Sequence, residues 1–440
     1  MNHQVNRSFF LGAALLLAGC SSLWKPFAQS NPASCVDPTD PPCGAGLVCD
    51  LIRNKCMTAS LGTDGGSQDL ATSPDLRACT KPVKFLPSMT FQGGVQTVWL
   101  GAADMNGDAK LDIVHLSLSD PTNDMEYLPG DGSGGFGARR VIYGGANSGP
   151  SALADFNKDG KPDLVVPAVG FRNARTIMSL GASWTMAGSG IILGSSDRTC
   201  CAVAAKFRGN SFPFDVAIGN STTDPSISLG DGSGGFTILA QRPSVPMGAF
   251  AIAAADFDGD LLPDLAVAPN DLVSSKAQIR LFRGVGDGTF TSWPDLAVGS
   301  IPSALATAYL DGDKKADLII ANQNSNIVSV ALGTDQGGLG PARHYPVEPS
   351  PVAVTTGDFN GDMIQDLAVV SLGSSRPSVS VLLADGIGGY CPAVVLQLAG
   401  MNATVESLVA ADFNGDSYSD LAVNQNSSDI VLFLADPKAM

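Results

Sequence analysis

The residues of this chain best suited to chemistry are Asp358, Asn360, Asp362 and Asp366, set in Asp358-Phe359-Asn360-Gly361-Asp362-Met363-Ile364-Gln365-Asp366. Oxygen-bearing side chains at positions 1, 3, 5 and 9, with glycine at position 4, can wrap a short loop around a hard cation. Calcium takes about six to eight oxygen ligands and tolerates irregular geometry, so three or four carboxylates or amides, a backbone carbonyl and water suffice. The pattern recurs as Asp104/Asn106/Asp108/Asp112, Asp155/Asn157/Asp159/Asp163, Asp256/Asp258/Asp260/Asp264 and Asp412/Asn414/Asp416/Asp420. Two further copies are decayed. One opens with Tyr309 and keeps Asp311, Asp313 and Asp317, and the other opens with Lys206 and keeps Asn210 and a displaced Asp215.

The elements that must position these loops repeat with them. First positions at 104, 155, 206, 256, 309, 358 and 412 are spaced by 51, 51, 50, 53, 49 and 54 residues, which marks a repeat architecture. Within a period, a small apolar run (Val352-Ala353-Val354) precedes the loop and another (Leu367 to Val370) follows it. A third, alternating run comes next (Val379 to Leu383). A glycine turn then leads to a short fourth segment, as in Gly130-Asp131-Gly132-Ser133-Gly134-Gly135-Phe136 and Gly230-Asp231-Gly232-Ser233-Gly234-Gly235-Phe236. Short Val/Ile/Ala-rich runs between Gly, Asn and Asp turns read as strands. The fold class expected is all-β, a seven-bladed propeller of four strands per blade.

The Asp-Phe-Asn-Gly-Asp segments followed by Asp-Leu, together with the Gly-Asp-Gly-Ser-Gly-Gly-Phe turns, resemble FG-GAP (VCBS-type) repeats. Such repeats build the propeller of integrin alpha subunits and of many bacterial surface proteins. The resemblance covers residues 82 to 440 and implies about five calcium ions. It also implies that position 7 adds a backbone carbonyl, here from Lys110, Lys161, Leu262, Ile364 and Tyr418, with position 9 as the last ligand. The family usually has glycine at position 6, which only Gly160 keeps; Ala109, Leu261, Met363 and Ser417 replace it. A positive φ there would be strained by about 1–2 kcal/mol at each replacement. An EF-hand is excluded because no Glu follows at position 12 and strands flank the loop.

The N-terminus has its own logic. Arg7 and the apolar run Phe9 to Leu17 are too short for a membrane span and fit a secretory signal over residues 1–19. Leu17-Ala18-Gly19-Cys20 resembles a bacterial lipoprotein cleavage box, which makes Cys20 the lipidated residue of an anchor segment, 20–34. Ser21 at the next position favours, by analogy, the outer membrane. Cys35, Cys43, Cys49 and Cys56 fall in a segment, 35–56, too short to bury a core, and read as a two-disulfide knot with three possible pairings. Residues 57–81 are polar and glycine-rich and read as a flexible linker. Without Cys20, eight cysteines remain, a number compatible with full oxidation, and Cys79 is a candidate partner for Cys391.

The last period ends at Met440 with no glycine turn and no fourth strand, while Val83 to Gln92 precedes the first loop and has no blade. That segment is expected to supply the outer strand of the seventh blade and so close the ring, leaving no open sheet edge.

Composition supports this organisation. Of 42 acidic residues only Glu126, Glu348 and Glu406 are glutamates, and 50 glycines and 28 prolines fit a chain that turns after every short strand. The net charge of −16 argues against nucleic acid or anionic membrane surfaces as partners of the folded domain. Only His3, His115 and His344 are histidines, and no His-Glu-x-x-His, Gly-x-Ser-x-Gly or phosphate loop occurs, so the chain is not read as an enzyme. The expectation is a calcium-binding envelope lipoprotein whose propeller binds a protein or glycan. The alternative is a lectin or a carbohydrate-active enzyme using carboxylates alone. By the same resemblance, the calcium loops join strands one and two. The two-to-three and four-to-one connections then carry the ligand face, with Tyr127, Arg172, Arg175, Arg242, Trp293, Tyr345 and Arg376 as candidates.

Overall fold

The computed structural model describes Leu47–Asp50, Lys55–Thr58 and residues 83–436, except 94–96, 119–122, 145–148, 169–172, 181–182, 187–189, 194–198, 271–276, 335–336, 387, 401–403 and 426–427. The signal segment, Cys20, Cys35, Cys43, Cys79 and linker residues 59–81 lie outside the described residues, while Met57 and Thr58, expected in the linker, belong to the strand Lys55–Thr58. The chain divides into two compact units, Met1–Leu70 and Ala71–Met440. In the first, Leu47–Asp50 pairs antiparallel with Lys55–Thr58, and Cys49 stands opposite Cys56 in the register.

The second unit is a seven-bladed propeller whose described residues are strands and turns without a helix. Blade 1 runs from the strand Thr97–Ala103 through Asp112–Leu118 and Asn123–Leu128 to Arg140–Gly144. Blades 2 to 6 begin at Ala152–Ala154, Thr199–Ala205, Ala249–Ala255, Pro302–Ala308 and Pro351–Gly357. The first strands of consecutive blades are neighbours from blade 2 round to blade 1. Second strands such as Asp366–Ser371 and Asp420–Gln425 are buried along their whole length, which is why they read as unbroken apolar runs.

Blade 7 closes as expected. Leu408–Ala411, Asp420–Gln425 and Asp429–Phe433 are completed by Met89–Gln92, which pairs antiparallel with Asp429–Phe433. Backbone bonds from Leu86 to Leu434 and from Asp436 to Lys84 extend the seam, and Phe85 lies edge-on to Phe433.

The core is seven inter-blade layers, each wedged by the residue at loop position 2. Met105, Phe156, Phe207, Phe257, Leu310, Phe359 and Phe413 are all buried, each between its own blade and the next. The phenylalanine that follows a glycine turn meets such a wedge edge-on, as in Phe136 on Phe413, Phe236 on Phe156 and Phe290 on Phe207, with centroids 5.2–5.6 Å apart. Blade 3 keeps its wedge, Phe207, although its loop has lost the acids, so this position serves packing and not the loop's chemistry.

Candidate metal centres

Each loop joins the first and second strands of its blade. In blade 6, Asp358 Oδ1 accepts hydrogen bonds from the backbone N–H groups of Gly361 at 2.7 Å and Asp362 at 3.1 Å, and Oδ2 accepts from Met363 at 2.8 Å. Asn360 Oδ1 accepts from Asp362, and Asp362 Oδ1 from Ile364. The same wrapping recurs at Asp412/Asn414/Asp416, Asp256/Asp258/Asp260, Asp104/Asn106/Asp108 and Asp155/Asn157/Asp159. The backbone is left-handed at position 4 (Gly107, Lys158, Gly259, Gly361, Gly415) and again at position 6. There φ is 64° at Ala109, 81° at Gly160, 70° at Leu261, 67° at Met363 and 73° at Ser417. Losing the glycine has not changed the turn; the side chains accept the strained conformation.

Position 9 does more than complete a ligand set. Asp112, Asp163, Asp264, Asp317, Asp366 and Asp420 are fully buried at the start of the second strand. One carboxylate oxygen of each accepts the N–H of the position-2 wedge. The other accepts an N–H from the last residue of the third strand or just past it, of Gly130, Ser179, Gly284, Gly333, Ala384 or Ala435. The residue opposite it in the ladder is always small, Ala or Gly, which leaves room for the carboxylate. Burial pushes these groups up, to about 6 for Asp112, Asp163 and Asp317 and about 7 for Asp264, Asp366 and Asp420, against the pull of the two N–H donors. Each oxygen retains a lone pair, so a cation bound there would relieve the cost of burying the charge.

In blade 4, carboxylate atoms of Asp256, Asp258 and Asp260 lie within 4.8 Å of one another. The Arg283 guanidinium reaches them, Nε 2.8 Å from Asp258 and a terminal nitrogen 2.9 Å from Asp260. Asn106, Asn157, Asn360 and Asn414 reduce the charge of the other four sets.

Position 5 is alike in the five sets: Asp108, Asp159, Asp260, Asp362 and Asp416 each turn one oxygen back on the loop, accepting the N–H of Lys110, Lys161, Leu262, Ile364 or Tyr418 at 2.9–3.0 Å. Asp362 and Asp416 also accept the amide of Asn360 or Asn414, at 3.0 Å. The donor chemistry of all five loops, carboxylate and amide oxygens on a pre-wound turn, still fits a hard cation.

The decayed loops contain cations of their own. In blade 3, Arg208 donates to Asp215 Oδ2 through Nε at 3.2 Å, and through a terminal nitrogen to Asp215 Oδ1 and the Gly230 carbonyl, both at 2.6 Å. Asp215, displaced by one residue in sequence, still begins the second strand and still accepts the Gly230 N–H. In blade 5 the Lys315 ammonium lies 2.5 Å from Asp313. Neither basic residue was singled out from sequence, although a base within a loop that has lost acids was a readable signal.

The candidates for the opposite face fare unevenly. Tyr127 is buried in the layer between blades 1 and 2, because its strand position points inward. Trp293 covers Gly338 at the seam of blades 4 and 5, and Tyr345 packs edge-on against Tyr390 with its hydroxyl on the Gly388 carbonyl. All three belong to packing between blades and are withdrawn from the ligand face. Arg172 lies outside the described residues. Arg376 is exposed in a two-to-three turn, Arg242 is half-buried in a four-to-one connection, and Arg175 stacks on Tyr143 at 5.0 Å. On this face, Pro246, Met247, Pro269, Arg280, Asp295 and Pro302 line a cavity of about 150 Å³, with Arg280 paired to Asp295 at 3.1 Å.

His115 is fully buried, neither ring nitrogen has a hydrogen-bond partner, and Nε2 is 3.9 Å from Glu126. Burial, then the nearby Arg139, hold its pKa down at about 4. Cys391 is disulfide-bonded, whereas Cys200 and Cys201 are free, so oxidation is not complete among the eight cysteines.

A ring of seven blades, five of them four-stranded and two with an extra short strand on the third, with an acid-rich turn between the first two strands of most blades, defines a loop-decorated propeller. The FG-GAP-like repeat profile matches residues 104–166, 309–369 and 358–423, each match spanning from one loop into the following blade. The chain is an FG-GAP-repeat propeller. Among solved structures, BBS1N in complex with ARL6DN is similar in two crystals. The one soaked with mercury gives a TM-score of 0.54 at 12% identity, covering 81% of this chain and 98% of that one. The one soaked with lead gives 0.55 at 13%, covering 80% and 98%. This likeness is one of fold alone. No curated protein matches the chain in sequence.

Proposed function

We propose that this is a calcium-stiffened envelope lipoprotein, anchored through Cys20, whose propeller is a non-enzymatic binding module for a protein or glycan. The observation that carries the reading is the fivefold recurrence of one wrapped loop, with the same three side chains accepting the same backbone N–H groups. Five calcium ions would offset about +10 of a formal charge of −16, each ion bringing two charges. The ions would keep one end of every bound blade rigid and leave the other end, with Arg376, Arg242 and the cavity beside Met247, to a ligand.

The test is thermal unfolding of the purified protein in calcium and in chelator, with the bound ions counted by mass spectrometry. About five ions per chain and a higher midpoint in calcium are expected. A protein that binds no calcium and melts identically in both buffers would remove the metal assignment and the adhesion-type reading with it. Anchoring is tested separately by metabolic labelling with a fatty acid, which Cys20→Ser should abolish.

A further inference from the structure

Cys200 and Cys201 stand at the start of the first strand of blade 3, at the end of the blade opposite the loops. The pairing register there jumps from Thr199 opposite Asn220 to Cys201 opposite Gly219, so Cys200 is the extra residue of a β-bulge. A bulge interrupts the strict alternation of side chains, and here both sulfurs fall on the same side, with Sγ atoms 2.7 Å apart. Gly219 makes room for them. A Cβ at that position would come within 2.5 Å of the Cys201 sulfur and 2.8 Å of the Cys200 sulfur. Blades 1, 4, 5 and 6 have the same bulge, and there the facing residue is Leu116, Ala268, Ala321 or Val370. Glycine faces the bulge only where the bulge carries two cysteines. The thiols also reach across the seam to blade 4, Cys200 to the Ala249 carbonyl at 3.2 Å and Cys201 to that of Phe250 at 3.7 Å.

We propose that Cys200 and Cys201 are a redox-closable dithiol, a modification site that forms a disulfide between adjacent residues when it meets a disulfide oxidant. The Cys200 thiolate attacks one sulfur of the oxidant RS–SR, forms a mixed disulfide and releases RS⁻. The Cys201 thiol gives up its proton and attacks the Cys200 sulfur, expelling the second RS⁻ and closing a ring through the peptide bond that joins the two residues. The protein loses two electrons and two protons, and the oxidant leaves as two RSH. Cys200 is the thiol that starts the reaction because it is half-buried whereas Cys201 is buried. Contact with Cys200, and then burial, push the Cys201 thiol well above its usual value, which keeps it protonated and leaves the first attack to Cys200. Closure removes both S–H donors from the carbonyls of Ala249 and Phe250, so it loosens the seam between blades 3 and 4.

The test is to incubate the full chain with oxidised glutathione, quench in acid, alkylate the remaining thiols and weigh the peptide that holds both cysteines. The expected product is lighter than the reduced peptide by two hydrogen atoms, with no alkyl group and no glutathione. Cys201→Ser, which lacks the resolving thiol, should stop at one glutathione on Cys200. A wild-type peptide that takes up two glutathiones, or that stays doubly alkylated while Cys201→Ser gains its adduct, overturns the proposal. So does a variant that gains no adduct, since Cys200 is then out of reach.

Discussion

Blade 3 and blade 6 solve one problem in two ways. Both begin the second strand with a buried carboxylate, Asp215 or Asp366, tied to an N–H at the end of the third strand or just past it. In blade 6 the other oxygen accepts the N–H of Phe359, and the side chains of Asp358, Asn360 and Asp362 wrap the loop where a cation would sit. In blade 3 the Arg208 guanidinium takes that place and binds both oxygens of Asp215. Burying that carboxylate creates a demand for compensating charge, which an internal side chain meets in blade 3 and a bound ion would meet in blade 6.

Proton uptake should expose this demand most strongly. For six buried aspartates the folded value is raised from 3.8 to about 6 or 7. An acid raised on folding contributes stability that is full below about pH 4 and lost as pH rises through 6 to 7. In chelator the melting temperature should fall across that window, and calcium, which favours the charged form, should flatten the profile. A profile with the same slope in both buffers would break the link between position 9 and the ion.

Next in size is Arg208→Ala. Removing one partner from a buried pair is destabilising by about 3–5 kcal/mol. The loss, read by denaturant unfolding, should be equal with and without calcium, because blade 3 binds no ion. Asp358→Ala should behave in the opposite way. It deletes the acceptor for three N–H groups and one ion site, with a loss of about 1–3 kcal/mol in calcium. In chelator the loss should be smaller, and the ion count should drop by one. The smallest effect belongs to Met363→Gly. Met363 is 92% exposed at φ 67°, so glycine removes strain without removing contacts. Its greater backbone entropy when unfolded offsets part of this, leaving a gain of about 1 kcal/mol or less.

Much of this design was legible in the chain. The recurring aspartates located every loop, their spacing set the blade count, and the unpaired Val83 to Gln92 foretold the strand that completes blade 7. What could not be read were roles that depend on partners distant in sequence or on charge. Asp366 looks like a last ligand, yet its second bond goes to Ala384, beyond two strands. Tyr127 and Tyr345 look like ligand-face aromatics because strand parity cannot be counted across irregular turns. Arg208 carries no spacing signal of its own, because its role depends on the chain folding back to bring it onto Asp215.

The strand that completes blade 7 also sets the order of events during folding. Gln92 donates to Asp429 across 337 residues, so the first strand of the ring to leave the ribosome is among the last to find its partner. Such distant pairing is slow, because chain closure must precede any gain from the contact. Throughout that interval Asp429–Phe433 presents a bare edge, and the matching strand of a neighbouring molecule can dock on it as well as the chain's own. Dimers formed by exchange of Met89–Gln92 are thus the characteristic misassembly of this ring, favoured by crowded synthesis and suppressed by dilution.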